Sequence, residues 1–264
     1  MSSERYLPER PSAAQALDAV LHTRNKIILA DFAAPTLGQR VIRRLWYELM
    51  RLRHGALGRG RPVVVLSEQL VENALLLREV DGSVRKALDF GGFESTLPLT
   101  LAALGVEVTV VDQRRYPFEN DRVHVLQHDI LQPIISLPGD FDLVYSISTI
   151  EHVGLGSYGD PTAQNGDARA VSHLWEKVRP GGRLFLTVPA GEASEQRDYR
   201  IYSPSRVRAL LPGPGEVRYF RKIGRQGVWR EVTEAEIAGH RYENPSAEFP
   251  VEGVAIATVR KPAS

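Results

Sequence analysis

Two acids and a glycine pair stand out for their types and spacing: Asp89, Gly91-Gly92 and Asp112, in Ala87-Leu-Asp-Phe-Gly-Gly-Phe-Glu-Ser-Thr96 followed by Val108-Thr-Val-Val-Asp112. An acid at the carboxyl end of a strand can accept both hydroxyl protons of a ribose. Glycine lets the backbone approach a ligand with no Cβ in the way. The pattern is that of half a nucleotide-binding sheet, or of a βαβ unit whose tight turn holds no ligand. A second group follows: Glu151-His152, then Tyr158 and Asp160 in a loop with Gly154, Gly156 and Gly159. A histidine of ordinary pKa, about 6.5, accepts protons near neutrality. His152 is either that base or a structural histidine bonded to its loop. Asp160, before Pro161, either joins the chemistry or caps the next helix. A loop so rich in glycine moves or presses close to a ligand.

The elements that must position these residues are legible in the apolar pattern. The expected core order is β (85–90), α (95–104), β (106–112), β (122–126), β (141–147), α (168–178) and β (183–189). Pro180-Gly181-Gly182 is expected to stop the second helix before a β-branched strand starts. Ser203-Pro204 supplies an N-cap with proline at N1 and opens a helix to Leu211. Val217 to Ile223 and Val251 to Arg260 complete the sheet, the last pair antiparallel. Ahead of the core, Ser67-Glu68 starts a helix with Leu70, Val71, Ala74, Leu75 and Leu77 inward.

The fold class expected is therefore α/β: a Rossmann-like, doubly wound sheet of about seven strands with an N-terminal helical extension. Residues 1–62 are assigned to that extension, a lid or dimer surface. Its helix with Val41, Leu45, Leu49 and Leu52 on one face has an arginine-rich opposite face, read as solvated and not as a nucleic-acid arm. Residues 63–264 form the main domain.

In the 264-residue chain, 33 basic residues face 32 acidic ones, so no long-range attraction to nucleic acid or an anionic membrane is implied. The absence of cysteine excludes disulfides, thiolate zinc sites and a cysteine nucleophile. No metal site is expected. The longest apolar runs fall short of the roughly 20 residues that a membrane span requires. The first residues lack the cationic start and apolar core of a signal peptide, so a cytoplasmic location is expected.

With Phe141-Asp-Leu-Val-Tyr-Ser-Ile-Ser148 and Val178-Arg-Pro-Gly-Gly-Arg-Leu-Phe-Leu-Thr-Val-Pro189 added in order, the chain resembles the class I S-adenosylmethionine-dependent methyltransferases over roughly Val84 to Pro189. The segment Ser148 to Pro161, with Gly166-Asp167 after it, is similar to a bacterial subgroup carrying Glu-His-x-Gly-Leu-Gly-x-Tyr-Gly-Asp-Pro after the fourth strand. One departure stands out. The family's acid-x-Gly-x-Gly-x-Gly positions hold Asp89, Gly91, Phe93 and Ser95, so only the first glycine is kept. A nicotinamide Gly-x-Gly-x-x-Gly cannot be aligned at all.

The resemblance implies S-adenosyl-L-methionine as cofactor. Asp89, Gly91 and Gly92 would line its methionine part, Asp112 its ribose, and Gln113 with Arg114 its adenosine. Asp129 and Ile130, after His128, fall where the family's acid accepts the adenine amino group; on the residues alone Asp129 is equally a turn residue. Ser146 and Ser148 would lie beneath the sulfonium. Ser95 offers a hydroxyl and a helix N-terminal N–H. On the acceptor side, His152 and Asp160 are candidate bases, Tyr158 a positioning group and Glu151 an anchor.

Glu151, Asp160, Asp167, Glu192, Glu195 and Asp198 outnumber Arg169, Arg197 and Arg200 there. That balance favours a cationic or polyhydroxylated acceptor, such as an amino sugar, since buried carboxylates repel anions. The expected activity is methyl transfer to an oxygen or nitrogen of a small polar metabolite, a sugar or aminoglycoside-like natural product of antibiotic biosynthesis. The alternative is a non-catalytic methyltransferase-like binding or regulatory protein, which Phe93 in place of glycine would favour. Expected partners are the small-molecule acceptor and, through the N-terminal helices, a second copy of the chain; neither nucleic acid nor membrane is expected.

Overall fold

The computed structural model describes residues 67–156, 162–223, 228–243 and 251–263. The expected N-terminal helices, the boundary near residue 63, and Tyr158 and Asp160 lie outside the described residues.

The molecule is built on an eight-stranded sheet in the order β3-β2-β1-β4-β5-β10-β8-β9. Its parallel half holds β1 (Lys86–Phe90), β2 (Glu107–Asp112), β3 (Val123–Gln127), β4 (Phe141–Ser146) and β5 (Val178–Pro189). Apart from it stands a two-stranded pair, β6 (Ser194–Glu195) with β7 (Arg200–Ile201). The antiparallel half of the main sheet holds β8 (Glu216–Ile223), β9 (Val228–Val232) and β10 (Gly253–Arg260). The strand order reverses between β1 and β4, and in such sheets the ligand crevice lies beyond the strand ends at that point.

Two apolar cores form because the central strands are buried on both faces, as parallel strands must be. On one face α1 (Gln69–Glu79) and α2 (Leu97–Ala103) pack over Ala87, Val108, Val110, Leu143 and Tyr145. On the other, α3 (Gly166–Lys177) and α4 (Pro204–Leu210) cover Leu88, Val111, Val144 and Leu184. Leu88, Leu143 and Leu184 have no exposed surface. Each contributes about 1.5–3 kcal/mol by leaving water.

Two expectations need correction. The chain between Lys177 and Arg183 does not separate helix from strand. Instead β5 runs through Pro180-Gly181-Gly182, and its register against β4 shifts between Phe141 and Leu143. The inward face of α1 is also rotated: Leu70 and Ala74 are exposed, while Glu72 and Leu76 are fully buried. The expected sheet of about seven strands is present, with β9 added antiparallel to β8 as its eighth. After it comes α5 (Glu234–Ala238), opened by a capping box in which the Glu236 carboxylate accepts from the Thr233 N–H at 2.7 Å. Among the described residues no helix is long and apolar enough to cross a membrane.

Candidate active site

A cleft of about 270 Å³ opens beyond the carboxyl ends of β1, β2 and β4. Gly91, Ser95, Asp112, Gln113, Arg114, Asp129, Ile130, Ser148 and His152 line it, so nine of the residues singled out by sequence meet in one place.

One side of it is made by the β1 turn and the end of β2. Gly91 sits at φ +80°, and a Cβ there would lie 2.3 Å from the Thr149 side chain. Gly92 is required by a different neighbour, since its Cβ would meet Asp89 Oδ2 at 2.5 Å. The turn is thus pressed between the β4 corner and a buried acid, which leaves no room for side chains. Asp112 Oδ1 accepts from the Arg114 N–H at 2.8 Å and from Arg114 Nε at 3.3 Å, and Oδ2 accepts from the Phe93 N–H at 3.2 Å. The Arg114 guanidinium lies 4.1 Å over the Phe93 ring, and Phe93 itself stays outside the cleft wall. Ser95 Oγ accepts from the Leu97 N–H at the start of α2. Across the cleft, Asp129 Oδ1 accepts from the Leu131 N–H at 2.9 Å, so its carboxylate is held in a turn while still lining the wall.

The opposite side is the corner after β4. Ser148 adopts φ +44°, unusual for a side-chain-bearing residue. Two bonds hold it there: its N–H donates to Thr187 Oγ1 at 2.9 Å, and its hydroxyl donates to Glu72 Oε1 at 2.7 Å. A 3₁₀ turn (Ile150–His152) follows, anchored by Arg200 donating to the Glu151 and Val153 carbonyls. His152 Nδ1 lies at the Asp198 carbonyl, which fixes the hydrogen on Nδ1 and makes Nε2 the acceptor nitrogen of the neutral ring. Nε2 is 3.9 Å from Glu151 Oε1.

Buried carboxyls sit behind this wall. Burial pushes Glu72 up to about 7, against hydrogen bonds from Thr187 and Ser148 that lower it. Burial likewise pushes Asp89 up to about 8 and Glu151 well above the carboxylate range. One oxygen of each, Glu72 Oε2, Asp89 Oδ2 and Glu151 Oε2, has no hydrogen-bond partner.

Four expected site residues do not face the cleft. Asp89 is 2 % exposed and points into the core beside Tyr145 and Tyr116, and Gly92 lies over it. Ser146 turns its hydroxyl back to the Phe90 carbonyl at 3.2 Å. Glu151, expected to anchor the acceptor, is buried under the corner, because the 3₁₀ turn places its side chain inward while the next residue lines the wall. The acids expected to draw a cationic acceptor are engaged as well. Glu192 pairs with Arg241, Glu195 with Arg200, and Asp167 accepts from the Tyr202 hydroxyl at 2.8 Å. A second hollow, about 620 Å³, brings Arg197, Arg200 and Arg206 together with Asp167 and Glu195.

Sequence reasoning missed Gln69, Asn73 and Thr149 on the cleft wall and Glu72 behind it. For Glu72 a signal existed: it is an acid four residues before Leu76, inside the one stripe of α1 that is fully buried. Among the described residues no three His, Asp or Glu side chains gather as a metal site would require.

A family model described as "Caenorhabditis protein of unknown function, DUF268" matches residues 102–233. Ubiquinone biosynthesis O-methyltransferase of Erwinia tasmaniensis is 26% identical over 175 residues, covering 61% of this chain and 66% of that protein. The chain thus spans just under two thirds of that relative's length. A solved S-adenosylmethionine-dependent methyltransferase from Archaeoglobus fulgidus superposes with a TM-score of 0.51 at 17% identity, covering 82% of this chain and all of that one. The [4+2]-cyclase SpnF gives the same TM-score at 16% identity, covering 88% and 98%. These likenesses establish the Rossmann-like fold of methyltransferases; that a cyclase shares it is a reminder that chemistry is decided by the site.

Proposed function

The chain belongs to the family described as "Caenorhabditis protein of unknown function, DUF268", and from its fold and cleft we propose that it is an S-adenosylmethionine-dependent methyltransferase acting on an oxygen or nitrogen of a small polar metabolite. One observation carries the reading. The Asp112 carboxylate and the left-handed Gly91 turn share a cleft at the point where the strand order reverses.

The residues present fit the cofactor. Asp112 would take the ribose hydroxyls, Gly91 the methionine part, Asp129 and Ile130 the adenine edge, and Ser148 the sulfonium side. The cofactor supplies an activated methyl group for in-line displacement, so the protein mainly aligns the partners and excludes water. His152 Nε2 on the cleft wall would accept the proton that the acceptor loses. Tyr158 as a positioning group and Asp160 as a second base complete the proposed acceptor side, with Glu151 holding the corner from behind.

A neutral polyhydroxylated or cationic acceptor, a sugar or aminoglycoside-like natural product of antibiotic biosynthesis, suits a corner that shows the Ser148 oxygen as an acceptor, its hydrogen held by Glu72, better than an anionic one. A cytoplasmic location and a homodimer through the N-terminal helices belong to the same proposal. A second reading, a non-catalytic binding or regulatory protein, is favoured by the occupation of Asp112 by Arg114 and the Phe93 N–H. Calorimetric titration with S-adenosylmethionine separates the two. Saturable binding, followed by gain of a methyl group by one member of an amino-sugar panel in mass spectrometry, supports the enzyme. No binding by the parent, with binding restored in Phe93→Gly, supports the regulator.

A further inference from the structure

Glu72, on α1, lies directly behind the cleft wall, and the site described so far gives it no task. It has no exposed surface, yet its helix neighbours Gln69 and Asn73 line the cleft on either side of it. Its Oε1 accepts the Ser148 hydroxyl hydrogen at 2.7 Å, while Oε2 has no hydrogen-bond partner. A hydroxyl has one hydrogen and two lone pairs. Once the hydrogen is committed to Glu72, the Ser148 oxygen can only accept from whatever occupies the cleft. The Ser148 N–H is likewise committed, to Thr187 Oγ1. The corner therefore shows the cleft acceptor atoms, backed by a carboxyl.

We propose that Glu72 is a positioning residue which, through the Ser148 hydroxyl, makes this wall of the cleft discriminate for a sulfonium cation over the corresponding neutral thioether. The inference rests on the cofactor reading above and deepens it: substrate S-adenosylmethionine and product S-adenosylhomocysteine differ at the sulfur in this way, so the device would favour product release. The carboxyl is strongest in this role when ionised. Burial sets its titration at about 7, with Glu68 at the head of α1 raising it. Glu151, from the 3₁₀ turn, is raised well above the carboxylate range by burial first and then by the charges of Glu72 and Glu68. His152 is the other ionisable side chain at this corner, and Arg200 lies beyond Glu151. Asp89 faces the core on the far side of the glycine turn.

The test is the ratio of the two ligands' affinities at pH 6 and pH 8, measured by calorimetry on the full chain. The His152→Gln variant is used as background to silence the histidine. With Glu72 present, the preference for S-adenosylmethionine over S-adenosylhomocysteine is expected to rise about fivefold between the two pH values, the size of one ordinary hydrogen bond. Adding Glu72→Gln, which keeps the volume and an acceptor for Ser148, should abolish the rise. Ser148→Ala should abolish it too, and serves if the glutamine variant folds poorly. A ratio flat with pH in the presence of Glu72, or a rise that survives Glu72→Gln, overturns the proposal alone. Failure of the parent to bind either ligand overturns the cofactor reading and this inference with it.

Discussion

The two walls of the cleft are built in different ways. The wall proposed for the nucleoside is made of near neighbours: Gly91, Asp112, Gln113 and Arg114 come from one strand-turn-helix-strand unit, and the Asp112 carboxylate accepts from Phe93 and Arg114. The wall proposed for the acceptor is assembled at long range. Ser148 is held by Glu72, 76 residues away, and by Thr187, 39 residues away, and His152 is held by Asp198, 46 residues away. The first wall relies on backbone shape and one half-solvated ion pair, the second on buried carboxyls with unpartnered oxygens. A local wall tolerates changes elsewhere in the molecule; a long-range wall couples binding to packing and to pH.

The largest expected effect is on the acceptor wall. His152→Ala should lower turnover on an identified acceptor by about 10²–10⁴-fold, the usual worth of a positioned proton acceptor. Its affinity for S-adenosylmethionine should stay near the parental value in calorimetry. If turnover is unchanged, the histidine is structural and Asp160 is the remaining candidate.

Next is a stability effect that separates the two walls. Glu72 titrates at about 7 in the folded chain against an ordinary 4.5, so the folded state holds its proton more tightly. Its full contribution is present below pH 4.5 and is lost as pH rises through 7. Glu72→Gln should therefore gain about 3 kcal/mol over the parent between pH 4.5 and pH 8 in urea denaturation. A difference that does not grow with pH would mean the carboxyl is not buried as described.

The smallest expected effect falls on the local wall. Asp112→Ala should weaken S-adenosylmethionine binding by about 1.5–3 kcal/mol, the range for hydrogen bonds to a charged group, while the denaturation midpoint stays close to the parent's. Unchanged affinity in a folded variant removes Asp112 from the site, and the contrast between the walls fails.

The apolar and β-branched runs around Leu88, Val110 and Val144 determined a parallel sheet, because a strand buried on both faces reads as a continuous apolar run. Gly91 and Asp112 were equally legible, since a turn and the strand end beside it are neighbours in one unit and need no distant partner to be placed. The capping box of Thr233 and Glu236 was legible in principle as well, although α5 and β9 were not anticipated. Tertiary structure alone decided the rest. The period of α1 marks a face, but docking into the core chose Glu72 and Leu76 over Leu70 and Ala74. Only that docking brings the Glu72 carboxyl to Ser148, and only the fold of the chain back through Asp198 sets which nitrogen of His152 accepts. Which acids are already engaged was decided in the same way: Glu192, Glu195 and Asp167 count as acidic in sequence but have partners in space. Sequence carries the periodicities that short-range sterics and burial impose. Partners separated by tens of residues are chosen by packing, where every buried polar group must find its bond from whatever the fold delivers.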